Sequence, residues 1–228
     1  EIKKGTKLLS HVVLRGPTII GEDNIFYQFS TIGEDTPDKK FKGEKTKLEI
    51  GDRNIFREGV TIHRGTVQDK SITSIGSDNL FMAYTHVAHD AIVGDYCILS
   101  NAATLAGHVI VEDYVILSGM AGVHQFCRVG AHSMIGGCTK IVQDVPPFTI
   151  ADGNPAQIRG LNLIGLQRRG FAQEDIRALK TAYKTLFLKK GLNLTSQIET
   201  LEELESANNE KVRQLLDFLG ASERGIVR

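Results

Sequence analysis

Tryptophan is missing from the 228 residues, and cysteine and proline are scarce, at three and five. Cys97, Cys127 and Cys138 are odd in number and form no CxxC pair. Neither a disulfide framework nor a zinc knot is therefore expected, and the three thiols are predicted to sit in a reduced core. There is no excess of either charge, with 27 Lys+Arg against 27 Asp+Glu. A general nucleic-acid binder would carry a basic surplus, so that class is excluded. No run approaches 18 uninterrupted apolar residues, which excludes a membrane-spanning helix. No basic-then-apolar leader opens the chain, and the expectation is a soluble intracellular protein. At 41% hydrophobic and 24% charged residues, the composition is neither disordered nor fibrous.

What the sequence does have is a period of six. From Ile75, every sixth residue is Phe81, Val87, Val93, Leu99, Leu105, Val111, Leu117, Val123, Val129, Ile135 and Ile141. The same step links Ile2, Leu8, Leu14, Ile20, Phe26 and Ile32, then Ile50, Phe56 and Ile62. Two places before these positions the residue is usually small, as at Thr85, Ala91, Cys97, Ala103, Ala121, Cys127, Ser133 and Thr139. Neither a helix (period 3.6) nor a half-buried strand (period 2) keeps a strict six. A triangular coil does, with three short strands per turn and one aliphatic pointing inward from each side. Small residues are expected at its corners, with Gly or Asn taking the backbone angles that other residues avoid. Three hexads make a coil, and about seven coils stack to roughly 34 Å at the interstrand spacing. The fold class is thus an all-β parallel β-helix over 1–152, and hexapeptide repeats of this type resemble the left-handed family.

The register breaks twice, at 33–49 and 63–74. Both segments are polar and are expected to project as loops, a common place for binding residues on a solenoid. The first carries Asp38, Lys39, Lys40 and Lys42. The repeat stops at Pro146–Pro147, and 153–228 is expected to form a small α-helical subdomain capping the prism. Residues 172–190 read as one helix with Ile176, Leu179, Tyr183, Leu186 and Phe187 on one face, stopped by Gly191. Residues 195–206 and 209–219 read as two more, the last ended by Gly220.

Seven histidines sit almost entirely in the repeat. His89 and His108 are 19 residues apart, so one 18-residue coil nearly superposes them, about 5 Å apart along the axis. His86 precedes His89 by three residues, and His124 falls on the coil after His108. Four imidazoles on neighbouring rungs suit acyl transfer to a hydroxyl, which needs a base near neutral pH and an N–H for the developing oxyanion. Gly107 offers such an N–H one coil from His89. Asp90 could orient His89, although adjacent strand residues point to opposite faces. Zinc is not expected. The left-handed β-helical carbonic anhydrases pair two histidines five apart, and no two here have that spacing.

The motifs THVAHD (85–90), LAGH (105–108), VHQF (123–126), IHRGT (62–66), LQRRGF (166–171) and the closing RGIVR together resemble the UDP-N-acetylglucosamine O-acyltransferases of lipid A synthesis. The resemblance spans essentially the whole chain. It implies a cytoplasmic homotrimer moving an (R)-3-hydroxyacyl chain from acyl carrier protein to the glucosamine 3-position, with no metal and no cofactor beyond the phosphopantetheine of the carrier. It further implies His89 as general base and Gly107 as oxyanion donor. Ligand contacts would come from His86, His108, His124, Gln125, Asp38 and Lys40, with Asn162, Arg168 and Arg169 on the nucleotide side. Gly137 would set acyl length, and a glycine there predicts a longer chain. Because one prism face cannot enclose both substrates, the site is expected between subunits. Arg177, Lys180, Lys184, Lys189 and Lys190 are candidates for docking the acidic carrier protein.

Departures from the family pattern are Pro37, where a polar amide is common, and Ile164, where Glu is common. The chain opens on Glu1 with Ile2 already in phase, and family members carry about two further coils before that point. A start by truncation or processing, leaving a bare coil edge, is the expectation. The sister N-acyltransferase, which acylates the 2-amine, is the nearest alternative. It has an added N-terminal domain and reads DRG where this chain has His63-Arg64-Gly65. A 3-amino acceptor would use the same base. A non-catalytic solenoid would show ranks of Thr on one flat face, and none appears.

Overall fold

The computed structural model describes residues 1–189 and 193–228. The six-residue period becomes a left-handed parallel β-helix of triangular cross-section. Its first face is a nine-stranded sheet running from Lys7–Leu8 to Gln157–Leu161. The second has seven strands, Val13–Leu14 to Lys140–Ile141, and the third six, Thr18–Ile20 to Arg128–Val129. Most strands are two residues long, and undisturbed coils pair each residue with the one 18 later, as His86 with Thr104. The periodic aliphatics from Ile75 to Ile141 are all buried, and Phe26, Phe56 and Phe81 stack at 4.6 and 4.8 Å between ring centroids. Ile2 and Leu8, on the first coil, remain about half exposed.

The small residues are buried at the corners as expected. Glycine takes the left-handed backbone angles at Gly5, Gly33 and Gly59, but most fall to other residues than predicted. Tyr84, Asp90, Tyr96, His108, Tyr114, Phe126 and His132 all have φ between 57° and 63°. Such a conformation costs a non-glycine residue roughly 1–2 kcal/mol. Two contacts offset it. The N–H of each donates to an acceptor one coil back, a carbonyl in every case but Asp90, as His108 N–H to His89 O at 3.1 Å, and the Thr73 hydroxyl oxygen for Asp90. The side chains also stack in columns: Tyr96 on Tyr114 at 4.8 Å, Tyr114 on His132 at 4.7 Å, and His108 on Phe126 at 4.4 Å. The asparagines serve inside instead. Asn54 donates to Asn24 Oδ1 and to the Gly76 carbonyl, so a buried amide ladder satisfies turn carbonyls. Of the cysteines, Cys97 and Cys127 are buried and Cys138 is exposed, so the reduced-core expectation fails for the third.

Both insertions leave the same edge of the prism. The first separates Thr31–Glu34 from Lys47–Ile50 and the second separates Thr61–His63 from Ile72–Ile75, each passing from the second face to the third. The strands flanking them run three or four residues, against two in most of the coils, so the loops are shorter than the sequence suggested, 35–46 and 64–71. The Arg64 guanidinium, buried, reaches the Gly33 carbonyl and pairs with Asp35, tying the two loop bases together.

The sheet does not end at residue 152. Thr149–Asp152 continues the first face, and Gln157–Leu161 turns back antiparallel to cover its edge. The helices follow: α1 (Leu163–Arg168), α2 (Gln173–Tyr183), α3 (Leu194–Glu202) and α4 (Glu210–Gly220). The predicted 172–190 helix changes character at Lys184–Leu188, which is π-helical. There the Thr185 hydroxyl donates to the Thr181 carbonyl at 3.1 Å, competing for the acceptor of the α-helical ladder. Lys190 and Gly191 lie outside the described residues. The second predicted helix is shortened, with a 3-10 turn at Glu205–Asn208. The helices pack on their own core of Phe148, Leu166, Leu179, Leu186, Leu201, Val212, Leu215 and Phe218. The last coil also takes cover from the closing segment, where Val227 joins the prism core and its N–H donates to the Asp144 carbonyl.

His132 sits in the aromatic column between Tyr114 and Phe148, and burial, with Arg169 and Lys211 nearby, pushes its pKa down to about 4. The unfolded chain binds a proton there near the ordinary 6.5, so the stability it contributes is full above that pH and is lost as pH falls from 6.5 towards 4. His132→Phe keeps the stack and removes the titration. The variant is expected to lose less stability than wild type between pH 7 and 4 in urea unfolding. An unchanged pH slope would contradict this.

Candidate functional site

Ordinary strand geometry would send His89 and Asp90 to opposite sides. They lie in a corner instead, between His86–Val87 on the second face and Ile92–Val93 on the third. Asp90 takes φ 59°, which folds its carboxylate back beside the imidazole, and Asp90 Oδ2 accepts from His89 Nδ1–H at 2.9 Å. The doubt raised by strand alternation therefore does not apply. The remaining Asp90 contacts come from the second insertion. Thr66 N–H donates to Oδ1 at 2.8 Å and the Thr66 hydroxyl to Oδ2 at 2.6 Å. Burial pushes the Asp90 carboxyl up, but the hydrogen bonds from His89 and Thr66 outweigh it and hold the group below its ordinary range. An ionised Asp90 fixes the proton of a neutral His89 on Nδ1 and leaves Nε2 as the free base.

Gly107 occupies the same corner one coil on. A Cβ there would stand 2.6 Å from His89 Cε1 and 2.8 Å from Nε2, so the imidazole fills the space a side chain would need. Its backbone N–H has no acceptor among the described residues. His89 Nε2 therefore lies close against Gly107. His108, next along the chain, meets His89 edge-on at 5.0 Å and gives its Nδ1–H to Asp69 at 2.9 Å.

Three of the four predicted imidazoles fall into two pairs, the second completed by His63. His89 pairs with His108, whereas His86 meets His63 edge-on at 4.9 Å and contacts the Thr61 hydroxyl through Nδ1 at 2.7 Å. Burial, then the neighbouring histidines, pushes the His63 pKa down to about 4, and burial then His89 lowers that of His86. His124 is two positions out of register with His108. It is exposed on the coil above Ala106, and Phe126 takes the place over His108.

Asp38, Lys40, His89, His108 and Gln125 line one cleft of about 550 Å³ together with Thr66, Gln68, Asp69 and Phe126. The other predicted residues are elsewhere. Gly137 is on the edge between first and second faces, where a Cβ would meet nothing closer than the Gly119 carbonyl at 3.5 Å. Asn162, buried, caps α1 by accepting from Gly165 N–H and donates to the His132 carbonyl, so its amide is used in placing the helix. Arg169 lies over the Tyr114 ring at 5.2 Å and donates to the Tyr114 carbonyl, beside the exposed Arg168, on the third edge. Thr66, Asp69 and His63 were missed because they belong to the insertions or their borders, where no period predicts a neighbour. The signal was arithmetic. Both insertions interrupt the chain at the hexad that elsewhere carries His89 and Gly107.

Among the described residues, His89, Asp90 and His108 are the one group offering three metal-ligand atoms within 4.8 Å of one another. Two of those atoms already form the 2.9 Å His89–Asp90 hydrogen bond, an arrangement suited to holding a proton.

Comparison with known proteins is decisive for the family. A model described as UDP-N-acetylglucosamine O-acyltransferase, domain 2, matches residues 144–227, and a bacterial transferase hexapeptide model matches 72–107. The acyl-[acyl-carrier-protein]–UDP-N-acetylglucosamine O-acyltransferase of Stutzerimonas stutzeri is 54% identical over 94% of this chain and 82% of its own length. The chain belongs to the UDP-N-acetylglucosamine O-acyltransferase family. Solved family structures agree in shape along the whole chain. The acyltransferase of Acinetobacter baumannii, 48% identical, superposes with a TM-score of 0.96 over 100% of this chain and 88% of its own. That of Bacteroides fragilis, 40% identical, gives the same score and coverage.

For a member of this acyltransferase family, Gly107→Ala tests the packing of base against backbone. The methyl forces the His89 ring aside while leaving the N–H in place, so kcat is expected to fall on the order of 100-fold with the thermal midpoint little changed. Turnover near wild type would contradict the assignment of this corner.

Proposed function

We propose that the protein transfers a 3-hydroxyacyl chain from acyl carrier protein to the 3-hydroxyl of UDP-N-acetylglucosamine, the first step of lipid A synthesis. The observation that carries the mechanism is His89, held by Asp90 through Nδ1 with its ring packed against Gly107. His89 Nε2 takes the proton of the sugar hydroxyl as its oxygen attacks the thioester carbonyl carbon. The carbonyl oxygen becomes an oxyanion and accepts from Gly107 N–H. Collapse breaks the carbon–sulfur bond, and the departing thiolate of phosphopantetheine takes the proton back from His89. The ester and the free carrier thiol are the products, and the step needs no metal and no further cofactor.

The remaining assignments follow the three edges. Asp38, Lys40, His86, His108, His124 and Gln125 surround or flank the base and are placed as contacts to the substrates. Asn162, Arg168 and Arg169 sit on another edge, where a guanidinium pair suits a diphosphate, and Gly137 on the third. One protomer therefore does not assemble the site, which supports a homotrimer with edges of neighbouring copies meeting. The outward residues of the first face, Ile55, Leu80, Ile98, Ile116 and Met134, form an apolar ladder that fits such an interface. Arg177, Lys180, Lys184 and Lys189, all exposed, are placed to meet the acidic carrier protein. No described helix is long and apolar enough to cross a membrane, and we place the enzyme in the cytoplasm with its carrier-bound donor.

The decisive assay is transfer from 3-hydroxyacyl carrier protein to UDP-N-acetylglucosamine, with its 3-amino analogue in parallel. His89→Ala is expected to lose several orders of magnitude in kcat. An unaffected variant would move the base elsewhere, and turnover of the amino acceptor alone would change the substrate. With glycine at 137, fourteen-carbon donors should be preferred, and a preference for ten carbons would refute the assignment of that position.

A further inference from the structure

The second insertion does more than border the cleft, because one of its residues holds the partner of the base. Asp90 has a side chain with no exposed surface, and three donors reach its carboxylate. One is His89, and the other two are the backbone N–H and the hydroxyl of Thr66. The Thr66 hydroxyl and the His89 Nδ1–H share a single oxygen, Oδ2, at 2.6 and 2.9 Å. The N–H on Oδ1 and the hydroxyl on Oδ2 together fix the rotation of the carboxylate about its last bond. Rotation decides whether an Asp90 oxygen lies in line with His89 Nδ1.

Thr66 is itself held firmly. It is 2% exposed, and its carbonyl accepts from Ser71 N–H at 3.1 Å, which closes the loop on itself. Gly65, just before it, is pressed against the backbone of Ser71 and Ile72, leaving no room for a Cβ. On the other side, Thr73 accepts from the Asp90 N–H at 2.9 Å, so both ends of the insertion grip the same residue. We infer that Thr66 is a positioning residue for the reaction: acting through Asp90, it keeps His89 in the tautomer and orientation that leave Nε2 free to accept the substrate proton. Losing a hydrogen bond to a charged group and the alignment it gives is expected to cost on the order of 10- to 100-fold in rate.

The inference rests on His89 being the base, and the experiment separates the two. In the full-length protein with acyl carrier protein as donor, kcat and KM are measured for Thr66→Val, Thr66→Ser, Asp90→Asn and the Thr66→Val/Asp90→Asn double variant, with His89→Ala as control. Thr66→Val should lower kcat by 10- to 100-fold with KM for both substrates nearly unchanged, and Thr66→Ser should recover most of it. In the Asp90→Asn background the valine should cost little more, since the group it acts through has already changed. Thr66→Ala, which removes the hydroxyl without adding bulk, reads the same loss if the valine variant fails to fold. Near-wild-type kcat in the valine or alanine variant, an equal loss in both Asp90 backgrounds, or a serine variant no better than valine would each overturn the inference. Full activity in His89→Ala would overturn the base assignment and this inference with it.

Discussion

Each coil of the prism lies on the coil eighteen residues before it, and the rest of the molecule depends on that parallel stacking. It requires one aliphatic inward per face and one small buried residue per corner, which the sequence supplies with almost no exceptions. It also fixes what stands over what outside the core. His89 lies beneath Gly107, and no side chain other than glycine would leave room for that ring. The proposed base and oxyanion donor are therefore brought together by the core pattern and not by a flexible loop.

The corners carry both the strain of the fold and its chemistry. A left-handed backbone angle at Asp90 turns its carboxylate towards His89, and the same angle at His108 turns that imidazole across the base. On the edge between third and first faces, identical corners hold a column of Tyr96, Tyr114, His132 and Phe148, which stabilises the solenoid and supports Arg169. One local geometry thus serves the proposed catalysis on one edge and packing on another, and the side chain decides which. Both insertions emerge on the edge that carries His89, where they bring Asp38, Lys40, Thr66 and Asp69 to one cleft.

The prism was legible from residue spacing because a period of six has a single structural explanation, and the superposition of His89 and His108 followed from counting. The corners were read less well. Glycine and asparagine were expected at positive φ, yet tyrosine, histidine and phenylalanine hold those positions because stacking between coils compensates them. His124 was expected on the coil after His108 and lies there, but two residues out of register, so Phe126 and not His124 stands over His108. Thr66 and Asp69 could not be found by period at all. The helical part was located by its amphipathic face, while the π-helical turn at Lys184–Leu188 leaves that period unbroken and so gave no signal.

The central claim is that the base and oxyanion donor of one copy act on a substrate whose nucleotide is held by another edge. A crystal structure of the full-length protein with its acylated sugar-nucleotide product tests this directly. The account predicts the ester oxygen at the sugar 3-position about 3 Å from His89 Nε2, the acyl carbonyl oxygen on Gly107 N–H, and the diphosphate near Arg168 and Arg169 of a neighbouring copy. A product held wholly along one edge of a single protomer, or an ester remote from His89, would contradict it.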